Sequence, residues 1–166
     1  MKQRILSILV DNTSGVLSRV AGLFSRRGYN IDSLTVGVTA DPRYSRMTVV
    51  ASGDNLVLEQ ITRQLEKLVD VRDIKVLKED DSVNRELILV KVKVDAQERR
   101  NIIAVADIFR AKIIDVGVES LIVELTGVQS KLDAFLNLLD GYEILELART
   151  GITGLSRGVD DVRYLE

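Results

Sequence analysis

Ile5-Leu6-Ser7-Ile8-Leu9-Val10, then Asp11-Asn12-Thr13-Ser14-Gly15, then Val16-Leu17-Ser18-Arg19-Val20-Ala21-Gly22-Leu23-Phe24-Ser25-Arg26-Arg27-Gly28, then Tyr29-Asn30-Ile31: this stretch decides the fold. An apolar run of strand length enters a short polar loop, and the loop opens directly into an amphipathic helix. Val16, Leu17, Val20, Ala21 and Phe24 share one helical face, and Gly28 stands where a glycine ends such a helix. The loop therefore presents free backbone N–H groups and the positive end of a helix dipole, a place suited to a carboxylate. Asn12 and Asn30 flank it with amides that donate and accept. This chemistry suits a small zwitterion such as a free amino acid.

Working outward, residues 4–10 read as a first strand. Leu34, Val36 and Val38 alternate with Ser33, Thr35 and Gly37 as a second, and Met47, Val49 and Ala51 mark a third. Asp41-Pro42-Arg43 is a turn holding the only proline. Either Asp54 or Asn55 caps a helix through Leu58, Ile61, Leu65 and Leu68, and Ile74 and Val76 close the unit with a strand. The order βαββαβ predicts a ferredoxin-like α+β domain, a four-stranded antiparallel sheet with two helices on one face, over residues 1–79. Lys78 to Asn84 reads as a polar linker, with Asp80-Asp81 a solvated pair rather than a metal site.

The order then recurs over residues 85–166. Ile88, Val90, Val92 and Val94 form a strand, Ile102, Ile103, Ala106 and Phe109 a helix, and Ile114 and Val116 a strand. Leu121, Val123 and Leu125 form another strand, Leu132, Phe135, Leu136 and Leu139 a helix, and Ile144-Leu145 open the last strand. Leu23-Phe24 with Ile108-Phe109, and Ile31-Asp32 with Ile114-Asp115, are short matches between the halves. Common ancestry and common patterning both produce matches of this length. The second half has Asp95-Ala96-Gln97-Glu98 in place of the asparagine-bearing loop, so the small-molecule site belongs to the first half.

Composition narrows the function. The 166 residues are 46% hydrophobic and 29% charged with a net charge of −2, which is globular and gives no general invitation to nucleic acid or anionic membrane. Only 4% of residues are aromatic, too few for the stacking face of an RNA-binding sheet. The apolar stretch before Asp11 is too short for a signal segment or a membrane span. Histidine and cysteine are both absent, which removes the commonest general base, the usual transition-metal ligands and the best nucleophile. Neither catalytic nor metal-binding residues are predicted. The lack of cysteine suits a cytoplasmic protein.

Asp11 to Phe24, together with Arg26-Arg27-Gly28-Tyr29-Asn30-Ile31-Asp32-Ser33-Leu34-Thr35-Val36, resembles the opening of an ACT domain and, more closely, the small regulatory subunits of acetolactate synthase. Ser45-Arg46-Met47-Thr48, Gln64 to Val71, Lys131 to Phe135 and Arg149 to Gly158 extend the resemblance over nearly the whole chain. The resemblance implies a non-catalytic subunit that binds the large catalytic subunit, raises its activity and confers feedback inhibition by valine, or by leucine or isoleucine. Thiamine diphosphate, Mg²⁺ and FAD are then expected on the large subunit and no cofactor on this chain. It also implies a homodimer joined at sheet edges, with the effector between chains. The backbone at Gly15, Val16 and Leu17 would face the effector carboxylate, Asn12 would take its ammonium or carboxylate, and Asn30 and Ile31 of the neighbouring chain would complete the walls. Bland roles stand beside these: an Asx-turn for Asn12, backbone geometry for Gly15, an N-cap for Thr13 or Ser14, and packing for Phe24 and Tyr29. A free-standing amino-acid-responsive ACT regulator is the alternative. The segment Gly151 to Gly158 reads as a partner contact or a mobile tail.

Overall fold

The computed structural model describes residues 2–159. The chain forms two compact units, one of residues 2–84 with 152–159 and one of Arg85–Gly151. In the first, β1 (Lys2–Asp11), α1 (Val16–Arg27), β2 (Asn30–Val38), β3 (Tyr44–Gly53), α2 (Asn55–Glu66) and β4 (Val71–Leu77) follow the expected βαββαβ order. The sheet order is β2-β3-β1-β4, with every pairing antiparallel. Alternation along β1 and β3 sends Leu6, Ile8, Val10, Met47, Val49 and Ala51 to one face. There they meet Val16, Val20, Leu23 and Phe24 of α1 and Leu58, Ile61 and Leu65 of α2. Each such buried aliphatic side chain contributes about 1.5–3 kcal/mol of transfer free energy. Phe24 and Tyr29 pack edge to face at 6.2 Å, which makes both of them packing residues.

Three boundaries differ from the sequence reading. β2 starts at Asn30, ahead of the alternation at Leu34, because a bulge between Ile31 and Ser33 interrupts the two-residue period. The expected linker is mostly structured: a 3-10 turn spans Glu79–Asp81 and β5 (Ser82–Lys93) begins at once. Its polar residues hide a strand because they satisfy one another, with Asn84 Nδ2 donating to Ser82 Oγ at 3.0 Å and Ser82 Oγ donating to the Lys78 carbonyl at 2.5 Å. Residues 152–159 join the first unit, so the span expected as one domain, 85–166, divides after Gly151. Thr153–Ser156 form β9, a strand with no alternation to announce it. It lies on the face of the first sheet away from the helices: Gly154 N–H donates to Thr48 Oγ1 at 3.4 Å, and Thr35 Oγ1 donates to the Ile152 carbonyl at 3.4 Å.

The second unit repeats the topology with the body of β5, α3 (Ala96–Phe109), β6 (Lys112–Val116), β7 (Ser120–Gly127), α4 (Gln129–Leu138) and β8 (Glu143–Arg149), in the sheet order β6-β7-β5-β8. Its core joins Ile88, Val90 and Val92 to Ile102, Ala106, Leu132 and Phe135. No helix among the described residues is long and apolar enough to cross a membrane.

Candidate functional site

α1 starts at a residue without a side chain. Gly15 is its N-cap, in the left-handed region at φ +84°, and no side chain caps the helix; Arg19 N–H donating to the Gly15 carbonyl at 3.0 Å is the first helical bond. The expectation that Thr13 or Ser14 caps α1 is corrected: with the cap position at Gly15, both hydroxyls lie upstream of it. α1 also carries no acidic residue in its first turn. Its mouth thus combines an uncapped helix start with no negative charge of its own, which favours an incoming anion.

Two arginine–aspartate forks hold this mouth in place. Arg19 donates through Nε to Asp70 Oδ2 at 2.6 Å and through Nη2 to Asp70 Oδ1 at 3.0 Å, joining α1 to the turn before β4. Arg72 on β4 donates through Nε and Nη2 to Asp11 at the end of β1, at 2.7 and 3.0 Å. Asp11 N–H donates to the Asp70 carbonyl at 2.9 Å and ties the two forks together. Asp70 is buried, and its hydrogen bonds from Arg19 hold its carboxyl below the usual aspartate range, while the Arg19 guanidinium is pushed above its ordinary value. Sequence reading gave these four residues no role. Arg19 lies one turn beyond Gly15, a spacing that could have drawn attention to it. Its partner is 51 residues away, and no local pattern reports that.

Asn12 spans to the turn before β3. Its N–H donates to the Arg43 carbonyl at 2.8 Å and its Nδ2 to the Pro42 carbonyl at 2.9 Å, a cross-link between loops in place of the local Asx-turn. The Val16 side chain is buried in the core, so only its backbone faces the mouth, while Leu17 is half exposed. Asn30 is exposed and Ile31 half-buried, at the opposite end of the sheet. Asn30 pairs with Ser52, whereas Asp11 pairs with Tyr44 at the other end of β3. At the rise of an antiparallel strand these ends are about 25 Å apart. One chain therefore brings Asn12, Gly15, Val16 and Leu17 together and leaves Asn30 and Ile31 apart. Asn30 Nδ2 donates to Asp32 Oδ1 at 2.6 Å, and Asp32 also accepts from Gln3 Nε2 at 3.1 Å and from Ser52 Oγ.

β2 is an edge strand, and Val36 and Val38 on it are 46% and 63% exposed. Val36 pairs with the core residue Met47, so an apolar row reaches the open edge on the helix side of the sheet. A cavity of about 610 Å³ lies among Ser7, Thr35, Arg46, Lys75, Thr153 and Ser156 and reaches the edge residues Val36 and Val38. None of the six predicted effector residues lines it. Among the described residues, no group of three or more acidic side chains is placed to hold a metal ion.

Residues 6–73 match the family described as the AHAS small subunit-like ACT domain, and residues 85–158 match the small subunit of acetolactate synthase. The acetolactate synthase small subunit of Mycolicibacterium smegmatis is 52% identical over 153 residues, covering 92% of this chain and 90% of the relative. The isozyme 3 small subunit of Escherichia coli is 52% identical over 157 residues, covering 94% and 96%. The crystal structure of the acetolactate synthase small subunit of Thermotoga maritima superposes with a TM-score of 0.89 at 42% identity, covering 96% of this chain and 99% of that one.

Proposed function

Because the chain belongs to the acetolactate synthase small-subunit family, we propose that it is the regulatory, non-catalytic subunit of a cytoplasmic acetolactate synthase. It binds the large catalytic subunit, raises its activity and makes it sensitive to a branched-chain amino acid, valine first. The large subunit condenses pyruvate with itself or with 2-oxobutyrate and carries the thiamine diphosphate, Mg²⁺ and FAD. Absence of histidine and cysteine from the sequence supports the division of labour.

The observation that carries the effector reading is the uncapped, acid-free start of α1 at Gly15. The second is its relation to the β2 edge. Antiparallel pairing of β2 with β2 of a second copy sets the Asn30 end of one strand beside the Val38 end of the other. Val38 pairs with Ser45, and Ser45 with Val10, so that end of the sheet is the end bearing the α1 mouth. Dimerisation thus draws Asn30 and Ile31 of one copy toward Asn12, Gly15, Val16 and Leu17 of the other, which a single chain keeps apart. It also covers the exposed Val36 and Val38, and pairing an open edge removes a liability. Leu17 and these valines offer a branched aliphatic side chain an apolar wall.

An effector held between copies stabilises the arrangement it bridges, and its differential affinity for two arrangements sets the inhibition, typically about 1–3 kcal/mol of coupling. Co-purification with the large subunit, followed by activity with and without valine, tests the reading. The expected result is a stable complex, more active than the large subunit alone and inhibited by valine. Failure of the two chains to associate would turn the assignment toward a free-standing ACT regulator.

A further inference from the structure

The carboxylate of an α-amino acid needs hydrogen-bond donors and, in a partly exposed site, a balancing cation. The two asparagines are each partly engaged by the protein. Asn12 gives one Nδ2 hydrogen to the Pro42 carbonyl and Asn30 gives one to Asp32, so each amide keeps a second N–H and its carbonyl oxygen. Such amides can bond either end of a zwitterion, but they are neutral and supply no balancing charge for its carboxylate.

Arg19 has the complementary arrangement. Nε and Nη2 are both spent on Asp70, which is only 7% exposed and whose backbone carbonyl is fixed by Asp11. Nη1 takes no part in that fork. It lies 2.8 Å from where a Cβ on Gly15 would stand, so it overhangs the first residue of α1. A planar guanidinium locked along one edge offers its remaining edge in a fixed direction, and that geometry matches a carboxylate. Gly15 suits this place by its positive φ and by lacking a Cβ, which would displace the tip of the Arg19 guanidinium.

We propose that Arg19 is the cation that receives the effector carboxylate, and that Asp70 is the residue that positions it. This rests on the effector reading above and adds to it the group that distinguishes a free amino acid from its uncharged-carboxyl analogues. The Arg72–Asp11 fork stands behind Asp70 as a second support, joined to it through the Asp11–Asp70 backbone bond.

The test is calorimetric titration of the full chain with L-valine and with L-valinamide, at a pH where both amino groups are protonated. Valinamide keeps the side chain and the ammonium and lacks the charged carboxylate. The wild-type protein is expected to bind valine at least about tenfold more tightly than valinamide, the size of a charge-assisted bond. Arg19→Met is expected to weaken valine by about tenfold and leave valinamide almost unchanged, so the ratio of the two affinities collapses. Asp70→Asn should narrow the same ratio by a smaller factor. Should Arg19→Met fail to fold, Arg19→Lys serves, because an ammonium cannot hold the fork and reach over Gly15 together, and the ratio again falls. If Arg19→Met or Arg19→Lys weakens both ligands by one common factor, Arg19 is only structural and the inference is overturned. If the wild-type chain binds neither ligand, the effector reading falls and this inference with it.

Discussion

The two units share a topology and even its irregularities, yet the mouths of their first helices are chemically opposite. β2 and β6 bulge at equivalent places, between Ile31 and Ser33 and between Ile113 and Asp115. β1 and β5 shift register against their outer neighbours between Leu9 and Val10 and between Lys91 and Val92. At the mouth of α3, however, Asp95 accepts from the Glu98 N–H at 2.8 Å and Glu98 returns a bond to the Asp95 N–H at 3.2 Å, a complete capping box. The second unit has filled its helix mouth with its own carboxylates. The first leaves that place to a glycine, with an arginine above it. The bidentate arginine of the second unit sits elsewhere: Arg149 grips the buried Glu86 at 2.8 and 3.1 Å, at the end of β5 remote from the α3 mouth. One fold thus carries two different helix starts, one closed by its own carboxylates and one left open at a glycine.

Core truncations should be the most damaging substitutions in either unit. The two cores are separate clusters, so Phe24→Ala should destabilise the first unit and Phe135→Ala the second, each by about 3–5 kcal/mol. Denaturation followed by a probe in each unit reads the difference, and an equal response of both probes to both variants would refute separate cores. Gly15→Asp gives α1 a carboxylate of its own, as α3 has. It should abolish valine inhibition in the reconstituted enzyme while the circular dichroism spectrum and large-subunit binding persist. Asn30→Ala should likewise weaken the valine response without unfolding, since Asn30 is exposed and outside the core; unchanged inhibition in both variants would remove the site from this mouth. The reciprocal change, Asp95→Ala, opens the α3 mouth and should cost about 1 kcal/mol of stability with no change in valine response.

The smallest effect is a dependence on pH. Arg19 lowers the Asp70 carboxyl, so the pair stabilises the fold fully above the ordinary aspartate pKa of about 3.9, and that share is lost as pH falls through the lowered folded value. Asp70→Asn should flatten the acid loss of stability that sets in below about pH 5, as read by urea denaturation at several pH values. Parallel acid curves for variant and wild type would show that the fork adds nothing.

Strands β1 to β8 and helices α1 to α4 were legible because their apolar residues keep regular periods, as at Leu6, Ile8 and Val10 or Leu58, Ile61 and Leu65. Of the two cap candidates for α2, Asp54 is the cap and accepts from the Val57 N–H at 2.8 Å. The short β9 was invisible because its four residues, Gly154 and the exposed Leu155 among them, carry no apolar alternation, and its strand partner β5 and the hydroxyls of Thr35 and Thr48 lie far back in the chain. The loop with Asn12 and Gly15 stood out as a unit, but the Arg19–Asp70 and Arg72–Asp11 forks join residues 51 and 61 positions apart, and sequence spacing does not encode such pairs. The capping box at Asp95 and Glu98 lay in plain view as residues three apart ahead of an apolar run, and its reading would have foretold that the second mouth is closed.

A crystal structure of the full chain grown with L-valine tests the central claim most directly. Valine is expected between two copies, its carboxylate at the Val16 and Leu17 N–H groups and Arg19 Nη1 of one and its ammonium beside Asn30 of the other. Valine bound only in the cavity beside Arg46 and Lys75, or an α1 mouth closed by protein atoms in every copy, would contradict it.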